Sequence, residues 1–294
     1  RCGHAIGVKR MKVLVFGESG QVATALRKQA SEDMQILCMG RDRADLNSPD
    51  MIRAVITASD ADIIINAAAY TAVDRAESEG DQAEQVNHLA VAIMAQAATK
   101  IGLPLLHIST DYVFPGDGDR PWQPSDETGA LGVYGATKRR GEEAIEIAGG
   151  TYAILRTSWV FSATGNNFVN SMLSLGTERD ALSIVGDQTG GPTAADDIAD
   201  ALLMMARAYK DGRSASGIYH FSGASDTTWA EFAQEIFTQA NISCAVKHIA
   251  TSDYPTPAAR PLNSRLDCTT LRSDFGITRP DWRNSLSHVL KDLL

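Results

Sequence analysis

The sequence predicts an α/β protein, a doubly wound parallel sheet with a smaller, discontinuous lobe drawn from the second half of the chain. Three observations carry this expectation. Short apolar runs alternate with helix-like segments through the first half, as successive βα units do. The first run ends in a glycine-rich turn, Gly17-Glu18-Ser19-Gly20-Gln21-Val22-Ala23. Beyond residue 157 the alternation gives way to turns, short apolar stretches and a proline-rich segment.

Lys12 to Phe16 is an apolar run with no polar alternation, the pattern of a strand buried on both faces. The turn after it has the spacing Gly-x-x-Gly-x-x-Ala and leads into a helix running to about Ala30. Glycines at such a turn let the backbone approach a pyrophosphate, which the helix N-terminus then favours electrostatically. Met34 to Met39 is the second strand, followed by Gly40-Arg41. An acidic residue there would bind a ribose diol, whereas an arginine suits a 2′-phosphate, so Arg41 tilts the cofactor toward NADPH unless it is a solvated loop charge. Asp45 and Leu46 follow, placed to meet an adenine ring. Asp62 to Asn66 is a third strand, and the small residues Ala67, Ala68 and Ala69 before Tyr70 leave room for a ligand at its end. A helix is expected from Gln82 to Lys100, a strand from Pro104 to Ser109, and a loop rich in Pro, Gly and Asp from Asp111 to Gly132.

Val133 to Ala148 reads as a helix that carries Tyr134-Gly135-Ala136-Thr137-Lys138. Residues four apart share a helix face, so Tyr134 and Lys138 point the same way. A phenol titrates near ~10, and an ammonium beside it favours the phenolate. Thr110, delivered from a strand end, can steer the same oxygen or a substrate carbonyl. Such a trio suits proton transfer to an oxygen while another group supplies hydride.

In the second half, Tyr152 to Arg156 is a strand, and Asn167 to Gly176 a helix. Thr193 is the expected N-cap of a helix to about Tyr209. Ile218 to Phe221 is strand-like, Thr228 to Ala240 and Trp282 to Leu294 are helical, and three prolines hold Tyr254 to Arg265 extended. Arg260 and Arg265 are candidates for a substrate diphosphate or solvated loop charges. Trp159 and Trp229 can stack on a base or pack in the core, the latter being the reading for Trp229. His107, inside a strand, reads as a core histidine rather than a catalyst.

Composition sets outer bounds. With 44% hydrophobic and 21% charged residues, the 294-residue chain has the balance of a soluble globular protein with a large core. A net charge of −9 argues against general nucleic-acid binding, so an anionic ligand must be met locally. No apolar run approaches a membrane span and no signal-peptide pattern is seen, which sets the expectation of a cytoplasmic protein with no membrane partner. Cys2, Cys38, Cys244 and Cys268 are scattered without paired spacing, consistent with reduced thiols and no structural zinc. Residues 1–10 are read as an extension or expression remnant. A Rossmann-type NAD(P)-binding domain is placed at 11–157 and the substrate lobe mainly at 158–294, with about 186–220 returning to the first domain.

Together these residues resemble the extended short-chain dehydrogenase/reductase family. The resemblance runs from Met11 to near the C-terminus through FGESGQV at Phe16, NAAAYTAVDRAESE at Asn66, STDYVFPGDGDRPW at Ser109 and VYGATK at Val133. It continues through RTSWVF at Arg156, GNNF at Gly165, GGPT at Gly190 and YPTPAARPLNSRL at Tyr254. The glycine turn and Tyr-x-x-x-Lys mark only the superfamily, while Thr-Ala-Val-Asp, Arg-Thr-Ser-Trp and Arg-Pro-x-Asn-Ser-Arg are far more selective in combination.

What the resemblance implies is an NADPH-dependent reductase, with NADH possible, acting on the C4 ketone of dTDP-4-dehydro-β-L-rhamnose in the last step of dTDP-rhamnose biosynthesis. It implies Tyr134 as proton donor to the C4 oxygen and Lys138 as the group that lowers its pKa and holds the nicotinamide ribose. Thr110 takes the place of the family's hydroxyl residue, and Asp111 touches substrate. Gly17, Ser19, Gly20, Gln21 and Val22 would line the cofactor phosphates, with Arg41, Asp45 and Leu46 at the adenosine. Ala67, Ala68, Ala69, Tyr70 and Thr71 would lie at the ribose–nicotinamide side. Val73, Trp159 and Asn167 would contact the dTDP-sugar. Relatives in this family can dimerise through magnesium held by glutamates. Ala25 and Asp196 occupy the matching positions, and an alanine cannot ligate a hard cation, so no metal is expected and a monomer or a homodimer stays open. Two other readings also stay open: a reductase of another nucleotide-linked 4-ketodeoxysugar, and a non-catalytic, dinucleotide-binding protein like the methionine adenosyltransferase regulatory subunit.

Overall fold

The structure is a computed structural model, and it describes residues 10–213 and 215–294. The reading of residues 1–10 therefore falls, apart from Arg10, outside the described residues. Six parallel strands form the central sheet. They are β1 (Met11–Phe16), β2 (Met34–Met39), β3 (Ile63–Asn66), β4 (Leu105–Thr110), β5 (Tyr152–Thr157) and a sixth strand, Gly217–His220. Across the sheet the order is the sixth strand, β5, β4, β3, β1, β2. The chain thus winds outward from β1 to β2 and then returns to continue from β3 the other way. The carboxyl ends of β1 and β3, at Phe16 and Asn66, mark the switch point where open α/β sheets bind ligands.

β1 and β3 are apolar almost throughout because both faces of the sheet are covered. On one face, Val13, Val15, Leu26, Ile65, Leu202 and Tyr219 share a core with helices Gln21–Lys28 and Ala195–Lys210. On the other, Leu14, Ile52, Ile64, Met94 and Ile145 join helices Pro49–Thr57, Ala90–Ile101 and Val133–Ala148. A separate apolar cluster around Phe161, Phe232, Phe237 and Trp282 organises the lobe, on helices Phe168–Glu178, Trp229–Ala240 and Trp282–Leu293.

The α/β class and parallel sheet are as the sequence predicts, and helix Val133–Ala148 has the expected ends. Two local readings are corrected. The helix expected from Gln82 to Lys100 is Gly80–Glu84, a π turn over Gln85–Leu89, and Ala90–Ile101. The π turn presents Asn87, whose amide brackets the Tyr70 backbone, accepting from its N–H at 2.8 Å and donating to its carbonyl at 3.1 Å. Widening of this kind accompanies functional geometry in many helices. Thr193 is not an N-cap: Ala194 caps helix Ala195–Lys210, while the Thr193 hydroxyl donates to the Gly191 carbonyl and accepts from the Gly223 N–H. Thr228 does cap with its side chain, in a reciprocal pairing with Glu231 at the start of Trp229–Ala240. Helices Pro49–Thr57 and Thr269–Phe275 carry no reading from sequence.

Two loops meet over the sheet's edge. Phe114 stacks on Trp122 at 4.8 Å, Trp122 donates from its backbone to the Arg265 carbonyl, and its indole N–H donates to the Asn263 carbonyl. Asn263 in turn donates to the carbonyls of Asp117 and Arg120. The segment 111–132 is thereby fastened to the proline-rich segment 254–265.

Candidate active site

The glycine turn is built for close approach. Gly17 has φ +113°, a conformation that L side chains rarely adopt, and a Cβ there would lie 3.3 Å from the Ala67 backbone carbon. Gly20 caps helix Gln21–Lys28, and a Cβ on it would meet nothing within 4 Å. Open space at Gly20 beside a helix N-terminus fits a phosphate. Val22 is buried, whereas the Gln21 carboxamide oxygen accepts from Ser162 at 2.8 Å and from Asn167 at 3.1 Å. Gln21 and Asn167, assigned to different ligands from sequence, thus join the turn to the lobe. Arg41 is exposed with no hydrogen bond or ion pair among the described residues, while Arg43 is engaged by Glu18. Asp45 accepts from Asn47, and Leu46 packs at the edge of the second core. Ala67 to Tyr70 are partly buried, Thr71 is exposed, and the Tyr70 hydroxyl donates to Glu79. Ala25, the residue matched to a magnesium glutamate, is buried in the first core.

Thr110 ends β4, and Tyr134 opens the helix beside it. Gly135 permits this approach: a Cβ there would lie 2.0 Å from the Tyr112 carbonyl oxygen. Tyr112 and Tyr134 then meet edge to face at 5.7 Å. Burial pushes the Tyr134 phenol up to about 12, with the neighbouring Thr110 hydroxyl pulling the other way. Lys138 is buried, and burial brings its ammonium down to about 8. Its Nζ donates to the Ile108 carbonyl at 2.7 Å and lies 3.1 Å from His107 Nε2. The lysine nitrogen is thus held against β4, on the helix that also carries Tyr134. His107 is a core histidine as read, yet it also touches Lys138, a contact no spacing in the sequence signals.

Asp111 follows Thr110 and is buried, and burial raises its carboxyl from 3.8 to about 6. Its Oδ1 accepts from the Thr110 hydroxyl at 3.1 Å, while Oδ2 has no hydrogen-bond partner among the described residues. Folding therefore favours the protonated acid. As pH rises from 3.8 through 6, the unfolded chain releases this proton first and stability falls. Asp111→Asn removes the buried charge, so we expect it to gain about 1–3 kcal/mol of stability at pH 7. The gain should vanish near pH ~4, where the carboxyl is protonated in both variants. Urea unfolding at the two pH values checks this; an equal difference at both would rule out the charge as its source.

Val73, Tyr112, Tyr134, Leu131 and Ala258 line a pocket beside the phenol. The proline-rich segment crosses it, held by Asp74, which accepts from the Ala258 N–H at 3.1 Å and from Arg260 Nη2 at 2.7 Å. Arg260, expected on a diphosphate, is thus paired with Asp74, and Arg265 donates to its neighbour Asn263 at 2.8 Å. Trp159, in a left-handed backbone conformation with φ +49°, stacks on Trp229 at 3.7 Å. Each indole thereby covers a face of the other.

A phosphate-sized turn that faces a hydroxyl, a phenol and a lysine across a switch point defines a nicotinamide-dependent oxidoreductase of the short-chain type. Residues 11–294 match the RmlD substrate binding domain family. The dTDP-4-dehydrorhamnose reductase of Sinorhizobium fredii is 43% identical over 290 residues, covering 97% of this chain and 98% of that protein. The enzyme of that name from Escherichia coli is 38% identical over 293 residues, 96% of this chain and 98% of its own. Among solved structures, a dTDP-4-dehydrorhamnose reductase from Bacillus anthracis in complex with NADP superposes with a TM-score of 0.91 at 32% identity, covering 96% of this chain and 99% of that one. The chain belongs to this family, that of the dTDP-4-dehydrorhamnose reductases. Among the described residues, no helix is long and apolar enough to cross a membrane.

Proposed function

We propose that this chain uses NADPH to reduce the C4 ketone of dTDP-4-dehydro-β-L-rhamnose, giving dTDP-β-L-rhamnose. The observation that carries the reading is the placement of Thr110 and the Tyr134–Lys138 helix at the same carboxyl edge of the sheet as the Gly17–Val22 turn, in a chain of this family. The residues fit a dinucleotide: Gly17, at φ +113°, takes a conformation that favours glycine, and Gly20 leaves open space at a helix N-terminus. When bound, the nicotinamide supplies hydride to C4. Tyr134 gives its phenolic proton to the C4 oxygen, and solvent returns a proton to the phenolate afterwards, so the ketone gains two electrons and two hydrogens in all. Thr110 orients the phenol, and the N–H of Lys138 not used by Ile108 is available to a ribose hydroxyl. Val73 lines the pocket on the sugar side, with Asp111 buried next to Thr110. The cytoplasm is the compartment that fits this biosynthetic role.

The test supplies this ketosugar with NADPH and follows the loss of reduced-nicotinamide absorbance, with other 4-ketodeoxysugar nucleotides in parallel. No turnover on any ketosugar would overturn the reductase reading, and faster turnover on another would move the substrate. Preference for NADPH is assigned to Arg41, the exposed arginine after β2. Arg41→Ala is expected to raise KM for NADPH about tenfold and leave that for NADH within about twofold, as loss of one guanidinium–phosphate contact predicts. Comparing the two KM values checks it.

A further inference from the structure

The end of β2 lacks the acid that dinucleotide folds commonly place there, and the fold brings one in from the glycine turn. In doubly wound sheets an acidic side chain at the end of the second strand, about twenty residues beyond the glycine turn, hydrogen-bonds the adenosine ribose 2′-hydroxyl. Here that place is Gly40, directly after β2. β1 and β2 are parallel neighbours with Phe16 beside Met39, and the Gly17 N–H donates to the Met39 carbonyl at 3.0 Å. This register sets Glu18 of the glycine turn alongside Gly40. A Cβ built on Gly40 would fall 3.2 Å from the Glu18 carboxyl carbon and nearer still to its Oε2. The Glu18 carboxylate thus occupies the space that a side chain at position 40 would take. Arg43 holds it there: its Nη2 donates to Glu18 Oε1 at 3.1 Å and to the Cys38 carbonyl of β2 at 2.6 Å. Oε2, the oxygen over Gly40, takes no hydrogen bond among the described residues. The Glu18 side chain is 42% exposed, so a ligand can reach it.

We propose that Glu18 stands in for the acid that β2 lacks. Its carboxylate accepts from the adenosine ribose 2′-hydroxyl, which admits NADH, and it opposes a 2′-phosphate, which limits the NADPH preference that Arg41 confers. Arg43 is a positioning residue: it aims this carboxylate and, paired to it, has its own charge offset. A hydroxyl has a proton to donate and a carboxylate only accepts, whereas a 2′-phosphate brings further acceptors and negative charge. One side chain therefore serves one cofactor and resists the other. Asp42 is the second acid nearby, its Oδ1 2.8 Å from the same Cβ position. Glu18 is favoured because Arg43 fixes its carboxylate, while the exposed Asp42 side chain has no hydrogen bond among the described residues to hold it.

The proposal rests on the glycine turn holding a nicotinamide dinucleotide, but its test reads binding in the absence of ketosugar, so it fails separately from the reductase assay. Calorimetry on the full native chain compares ADP with 2′-deoxy-ADP. Loss of the 2′-hydroxyl should weaken binding about tenfold, as loss of a hydrogen bond to a charged group does. In Glu18→Ala the two nucleotides should bind within about twofold of each other, while Asp42→Ala keeps the native difference. Glu18→Ala should also bind NADH about tenfold more weakly and NADPH about threefold more tightly, because the ribose loses its acceptor and the phosphate loses a solvent-screened like charge. Equal native affinity for ADP and 2′-deoxy-ADP, an undiminished difference in Glu18→Ala, or equal losses of NADH and NADPH in that variant would each overturn it. So would a difference that disappears in Asp42→Ala instead. The native comparison needs no variant, and a native chain that binds neither NADH nor NADPH would overturn the dinucleotide reading together with this one.

Discussion

Tyr134→Phe is expected to fold like the native chain and to lose about a thousandfold in kcat, with KM for NADPH little changed. The ring still packs edge to face on Tyr112, and only the hydroxyl beside Thr110 is lost. What disappears is the proton that the C4 oxygen takes as hydride arrives. The loss therefore belongs in kcat rather than in binding, since the phenol interacts with an oxygen whose charge develops only in the transition state. Steady-state kinetics with both substrates varied, alongside cofactor titration by fluorescence, separates the two. Full activity in Tyr134→Phe would remove Tyr134 from the mechanism.

Glu142→Gln is expected to cost about 3–5 kcal/mol of stability, the largest effect of any conservative change considered. Glu142 and Arg156 are both buried, and the guanidinium binds both carboxylate oxygens, at 2.9 and 2.6 Å. Arg156 also lies 4.9 Å from the Phe114 ring centroid and donates to the Pro124 carbonyl. The pair thus ties the helix of Tyr134 to β5 and to the 111–132 segment. Glutamine keeps the shape and removes the charge, leaving a cation in the interior with nothing to neutralise it, which costs far more than the hydrogen bonds alone. Urea midpoints at constant m-value measure the loss. A change below about 1 kcal/mol would mean that water or a shifted neighbour solvates Arg156. Because Glu142 is one turn from Lys138, kcat at saturating substrate should fall as well.

The elements that place the site were legible where one stretch of chain decides its own conformation. Phe16-Gly17 needs its glycine for a left-handed turn, and Val133–Ala148 has a continuous helical pattern, so both stand where the sequence puts them. Thr110 at a strand end followed from the apolar run before it. Arg260 shows where such reading stops. As a loop arginine it read as a diphosphate candidate or a solvated charge, and nothing in the sequence announced its pairing with Asp74, 186 residues away. Thr193 was misplaced by a different route: its turn resembles a helix start, but the carbonyl of Gly191 and the amide of Gly223 compete for its hydroxyl and win. The π turn at Asn87 depends on the Tyr70 backbone, 17 residues earlier, which no helical periodicity records.

The sequence by itself determined the parallel sheet, the glycine turn after β1, the family and the candidate trio of Tyr134, Lys138 and Thr110, because local backbone preference and residue pattern dictate these. Only the tertiary structure decided what surrounds them. The state of a buried amine or carboxyl depends on which donors and acceptors the strands bring within about 3 Å, and on how much water they exclude. Asn66, 41 residues from His107 in the chain, meets it only through the register of β3 against β4.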